Sequence, residues 1–374
     1  MNGSQDRMAN FELLRILAML MVVVMHFLSH TGALPASGEE PGELGILAIL
    51  IESFCIVAVN CFVLLSGWFL SEKAFSVRRL LRLLCQILFY TLLIPPVLVL
   101  AGVLDASEAL NPYHIWNSLF PVQSGHYWFV TAYVVMLLFS PILNGALRTL
   151  SRRALKLTIL LLLCFFCFGK SVSPFLFASD HFGYDFGWFI CLYLIAGYLK
   201  KYGSTFLYGK KRGGMVYLLS CGLTAVLVTV LQLVCAETGA FQYYVSVPFH
   251  YNFILALTGA LGLFVFFARL SLPGGKTSRL IRLISPAMFG VYLIHEQMDI
   301  YSGWALWIVG EVSEHTGGYL IQMAESVLLV FAVCVCADLL RGRLFALAER
   351  RIGRTKLGKR LDAFFGRVDE VMKG

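Results

Sequence analysis

Charge is scarce in this chain of 374 residues, of which only 14% are Asp, Glu, Lys or Arg, against roughly 25% in soluble domains. So few ionic groups cannot solvate the surface of an ordinary water-soluble protein, and that class is excluded. Low-complexity runs, linkers and a second polar domain are also missing. No self-similar halves are visible, which counts against the repeat-built transporters. Basic residues are nearly absent from every second polar loop, and cysteines are absent from the same loops. A disulfide framework is therefore excluded. Cys164-x-x-Cys167 has a redox or metal spacing, but it sits among Leu, Phe and Gly in an apolar run. Small buried side chains account for it better.

What is present is apolar. Hydrophobic residues make up 59% of the chain and the mean hydropathy is +0.77. Ten runs recur, near 11–31, 44–70, 80–104, 127–147, 154–169, 184–200, 214–236, 251–270, 285–309 and 318–340. About 20 residues suffice to cross ~30 Å of hydrocarbon. Lipid offers the backbone no hydrogen-bond partner, so these runs are expected to be helices. The expected fold is all-α: a polytopic membrane bundle of about ten transmembrane helices over residues 1–340, followed by a basic tail over 341–374. The first run is too long for a cleavable signal peptide, and Arg15 interrupts its start.

Charge placement sets the expected topology. With the N-terminus cytoplasmic, 29 of the 30 Lys and Arg residues fall on the inner side, and Lys170 alone falls outside. Glu39, Glu40, Glu43, Asp105, Glu108, Asp180, Glu237, Glu311 and Glu314 fall outside. The positive-inside rule then places both termini in the cytoplasm. The same asymmetry explains the net charge of +8, so no nucleic-acid partner is implied. Trp116 and Tyr113 in NPYHIWNSLFP suit an interfacial segment, and the basic tail suits an anionic inner leaflet of membrane lipids.

Two residues in RILAMLMVVVMHF are badly matched to lipid. Arg15 and His26 lie eleven residues apart, which places them on one helical face about 16 Å apart along the axis. Arg15 lies at the inner boundary, with Glu12 one turn away as a partner; His26 lies in the outer half. Physics alone leaves two readings of each. Arg15 either snorkels to the headgroups or lines a site; His26 is either a core histidine bonded to another helix or a functional one. His30 adds a second imidazole at i, i+4, but a zinc site wants a third ligand. Glu52 and His295 are candidates that nothing in the sequence ties to it, so no metal is expected.

Three further stretches carry polar groups. Ser66 and Gly67 end the second run just before a turn rich in arginine. Arg78, Arg79 and Arg82 open the third run, either as inner-face anchors or as a guanidinium fork for phosphates. SPAMFGVYLIHEQ places His295 and Glu296 toward the outer half of the ninth run.

NFELLRILAMLMVVVMH, FVLLSGWFL with its following Arg79-x-x-Arg82, WFV and VYLIH together resemble the acyltransferase-3 family, over about residues 10–340. The resemblance implies a bacterial inner-membrane acyltransferase with ten core helices. It implies acyl-CoA, most often acetyl-CoA, as cytoplasmic donor substrate, no permanently bound cofactor, and a hydroxyl of a surface or lipid-linked glycan as outer-face acceptor. Arg15 and His26 match the family's first-helix pair, and Arg79 and Arg82 match its arginine pair. Arg78, Ser66 and Gly67 are grouped with them on the donor side. His26 is expected to act as general base or as a transient acyl carrier, with His295 or Glu296 orienting it. Many members carry an aspartate where Asn60 stands here, so no acid role transfers to that position. The competing reading is a transporter or flippase for a lipid-linked sugar or small acid.

Overall fold

The computed structural model describes residues 3–172, 181–203 and 209–372. Asp180 and Lys373 lie outside them. Among the described residues every regular element is helical, as lipid requires of spanning segments.

The first run is a single helix, α1 (Gly3–His30). The second is two stacked helices, α2 (Glu43–Cys55) and α3 (Ala58–Leu70). The third is α4 (Val77–Leu100). Two short helices follow: α5 (Ala106–Ala109), and α6 (Pro112–Leu119), started by Asn111 accepting from the Tyr113 N–H. Tyr113 and Trp116 are exposed on α6, as an interfacial segment should be. Next come α7 (Trp128–Thr149) and α8 (Arg152–Leu163), which continues through a π-turn at Cys164–Phe168 into α9 (Gly169–Val172). All ten cysteines are free thiols.

Helix α10 (Phe186–Tyr202) has 17 residues and is begun by Asp185 accepting from the Trp188 N–H. The chain continues through α11 (Lys210–Thr238), α12 (Gln242–Ser246), α13 (Ile254–Ala268) and the amphipathic α14 (Lys276–Ile284). Among the described residues, eight helical stretches are long and apolar enough to cross a membrane.

The ninth run departs most from expectation. It is no continuous helix: α15 (Met288–His295) stops after eight residues, a turn follows, and α16 (Trp304–Val309) is shorter still. Local polar groups explain the break. Gln297 Oε1 accepts from the Asp299 N–H at 2.7 Å, and His126 Nε2 accepts from the Met298 N–H at 3.2 Å. Side chains have thus taken the amides that a helix would use. Burial pushes His126 down to a pKa of about 4, and the neutral ring keeps its acceptor nitrogen.

The tenth run is much longer than expected. Helix α17 (Thr316–Gly353) continues unbroken past 340, and α18 (Lys356–Val371) follows it.

Helices α1, α3, α10 and α13 supply much of the buried core. Gly67 lets α3 and α10 meet: a Cβ there would lie 2.9 Å from the Tyr193 Cα and the Ala196 Cβ. One end of the bundle gathers basic residues. Lys200 Nζ donates to the Trp68 carbonyl, Lys201 Nζ to the Leu147 carbonyl, and Asn144 Nδ2 to the carbonyls of Leu70 and Lys73. These lysines cap helix C-termini, where positive charge is favoured.

Candidate active site

Helix α1 delivers His26 against the end of α15. His26 Nδ1 is 2.9 Å from His295 Nε2, and His295 Nδ1 is 2.6 Å from the Val291 carbonyl oxygen. A carbonyl only accepts, so His295 Nδ1 carries the proton and donates it. Neutral His295 then presents a bare Nε2, which accepts from the Nδ1–H of His26. His26 Nε2 is left with its lone pair free. The network thereby fixes one tautomer of His26, in the manner of a base–orienter pair.

Glu296 adds a negative charge beside it. Its Oε1 is 3.0 Å from His26 Nδ1 and 3.9 Å from His30 Nε2, but without hydrogen-bond alignment to either. The carboxylate is placed to stabilise an imidazolium once His26 takes up a proton.

The turn bearing Glu296 is held from several sides. Tyr127 Oη donates to the Leu293 carbonyl at 2.8 Å. His114 Nε2 meets Asp299 Oδ1 at 2.8 Å, and Gln297 Nε2 donates to Asp299 Oδ2 at 2.9 Å. On the other flank Gly290 brings α15 onto α17, because a Cβ at that position would collide with the Asp338 side chain. His295 is only 1% exposed, whereas the His26 side chain is 23% exposed, toward a cavity.

That cavity measures about 300 Å³ and runs along one face of α1, past Arg15, Met19, Val22 and His26. The spacing expected of a shared face is therefore realised. Ser66, Trp128, Phe129, Tyr133, Tyr251 and Tyr292 complete much of the wall. Arg15 pairs with Glu12 through Nη1 and Oε2. Ser66 Oγ donates to the Phe62 carbonyl and lines the cavity; Gly67, its neighbour, packs against α10 instead.

A second cavity of about 390 Å³ lies toward the basic end and is lined by Arg79, Arg82 and Arg341. Leu83, Gln86 and Tyr133 line both cavities. Arg78 is turned away to Asp362, at 3.3 Å. The chain thus brings Arg15, Ser66 and His26 together with His295, places Arg79 and Arg82 next door, and leaves Gly67 and Arg78 at packing and ion-pair positions.

His26, His295 and Glu296 offer ligand atoms all within 4.8 Å of one another; this group includes neither His30 nor Glu52, which is buried in α2. Two donors on a tetrahedral zinc stand about 3.3 Å apart. The 2.9 Å between the two imidazoles is the separation of a shared proton.

Asn60 is buried, and both ends of its side-chain amide are hydrogen-bonded. Nδ2 donates to the Tyr251 carbonyl at 2.8 Å, and Oδ1 accepts from Trp188 Nε1 at 2.9 Å. A carboxylate cannot donate to Tyr251, whose ring forms cavity wall. Asn60→Asp is expected to destabilise the protein by about 1–3 kcal/mol, read as a lower Tm in a thermal melt.

Gln86, Tyr133, Asp338 and Arg341 join the cavity walls and their support without a motif in the sequence to mark them. Asp338 carried a usable signal, an acid in the apolar run VCVCADLL with arginine three residues on.

The chain matches the model of a family described as an acyltransferase domain, over residues 8–341. It belongs to that family, and with its apolar helical bundle it is a multi-pass membrane acyltransferase. No curated protein and no solved structure matches it.

Proposed function

We propose that the protein moves an acyl group, acetyl by preference, from acyl-CoA at its basic end to a hydroxyl of a surface or lipid-linked glycan at the opposite face. The basic end is the cytoplasmic one in this reading, with both termini there, in a bacterial inner membrane. The arginine-lined cavity receives the donor's phosphates, and the pantetheine arm crosses the wall of Leu83, Gln86 and Tyr133 into the cavity of Arg15 and His26.

One observation carries the chemistry: the hydrogen bond from His26 Nδ1 to His295 Nε2, which leaves His26 Nε2 a base facing the cavity. His26 Nε2 takes the proton of the acceptor hydroxyl as its oxygen attacks the thioester carbonyl. The C–O bond forms, the C–S bond breaks, and the proton passes from His26 to the leaving thiolate. Glu296 stabilises the imidazolium between those steps.

Mass spectrometry of surface glycans from cells with and without the protein tests the reading. The expected result is a loss of one acyl mass in its absence. Identical glycan profiles, with no release of CoA from acetyl-CoA by the purified protein, would favour a transporter.

A further inference from the structure

Helices α4 and α17 face each other across the second cavity. From α4 come Arg79, Arg82 and Gln86, and from α17 come Arg341, Phe345 and Glu349. Within each helix these residues recur at three- and four-residue spacing, so each set forms one ridge. The matched family domain ends at residue 341, so Phe345 and Glu349 lie beyond the matched region.

The guanidinium groups are in three different states. Arg79 has no carboxylate partner among the described residues. Arg341 is held by buried Asp338, with Nε donating to Oδ1 at 2.7 Å and Nη2 to Oδ2 at 3.1 Å. Asp338 is further fixed by Tyr90 Oη at 2.8 Å and Gln86 Nε2 at 3.0 Å. Arg341 therefore has a fixed position and keeps its Nη1 edge for the groove, while its guanidinium lies 5.0 Å from the Phe345 ring centre. Arg82 is clasped by Glu349 through both of its oxygens, at 2.9 and 3.2 Å. This fork is the geometry that arginine offers a phosphate.

The Arg82–Glu349 pair is also the one easiest to open. Its side chains are 68% and 51% exposed, and exposed ion pairs are weak. With Glu349 swung out, three guanidiniums stand against the single carboxylate of Asp338. The remaining double positive charge matches the double negative charge of a diphosphate diester.

We infer that this groove seats the diphosphate of the donor, that Arg341 is a binding residue for it beside Arg79 and Arg82, and that Glu349 is an internal competitor which the diphosphate displaces. The inference rests on the reading of acyl-CoA as donor, and it adds residues and an order of events to that reading. A donor held there has its arm beside Gln86 and Tyr133, the shared wall of the reaction cavity.

The test is binding of CoA to the full-length purified protein, with pantetheine, which carries no phosphate, as control. Glu349→Gln keeps the size of the side chain and removes the competing charge. It is expected to tighten CoA binding by about two- to fivefold, with no gain for pantetheine. Arg341→Ala is expected to weaken CoA binding roughly tenfold or more. Arg341→Lys, which keeps the charge on Asp338 and loses the fork, should weaken it less, and guards against a loss that is only misfolding. Glu349→Gln leaving CoA affinity unchanged, or raising pantetheine affinity equally, overturns the inference while the donor assignment stands. Absence of CoA binding by the folded wild-type protein overturns the donor assignment itself.

Discussion

Replacing His26 with alanine is expected to reduce acyl transfer by roughly 10²–10⁴-fold, the contribution of a positioned general base, while the protein keeps its fold. The geometry separates those two outcomes. The His26 side chain is part-exposed to a cavity, so its loss widens an existing space and opens no new void in the core. His295 keeps its bond to the Val291 carbonyl, and water can reach the Nε2 that His26 leaves. CoA release from acetyl-CoA and a thermal melt, run on the same preparation, check both halves. Retained activity refutes the assignment; a collapsed melting curve would reassign His26 as structural.

His295→Ala is expected to have the next largest effect, a fall of about 10²-fold in kcat with KM for acetyl-CoA little changed. His295 touches no substrate in this account and is a positioning residue. Without its Nε2 acceptor, the proton of His26 is free to move to the other ring nitrogen, where it blocks the lone pair facing the cavity. His295→Gln retains an acceptor oxygen on a side chain of similar reach and should recover part of the loss. A purely structural role for His295 would lower Tm in both variants and would not separate kcat from KM. Glu296→Gln should slow the same step by a smaller factor, since charge stabilisation is lost and the tautomer is kept.

Much of this site was legible in the sequence, for reasons that can be named. Arg15 and His26 are spaced for one face of a helix, and helical geometry in lipid is obligatory, so their shared face followed from spacing alone; the cavity along that face comes from the packing of the other helices. Arg79 and Arg82 could be placed at a basic end because lysine and arginine are so unevenly distributed among the loops. The partner of His26 was harder to see. Sequence put His295 and Glu296 in the outer half of a continuous ninth span, yet α15 ends at His295. That early end comes from His126 and Tyr127 capturing backbone groups from another helix and from Gln297 taking the amide two residues on, and no periodicity reports such contacts. Gly67 and Asn60 show the same limit. Both stand in motif segments, but their roles are set by Tyr193 and Ala196 in one case and by Trp188 and Tyr251 in the other. The length of α17 was hidden for another reason. Its apolar run stops near 340, while the helix continues as a polar, amphipathic one to Gly353.

Sidedness tests the central claim, that an acyl group enters beside Arg79 and Arg82 and is transferred at His26. In the proposed orientation, inside-out membrane vesicles from the native host present the basic end outward, and labelled acetyl-CoA can be supplied to that face alone. The account predicts label on glycan material inside the vesicles, released by mild base as an ester, and no label with the His26→Ala protein. Label that appears only when acetyl-CoA is given to the opposite face, or that persists undiminished with His26→Ala, would contradict it.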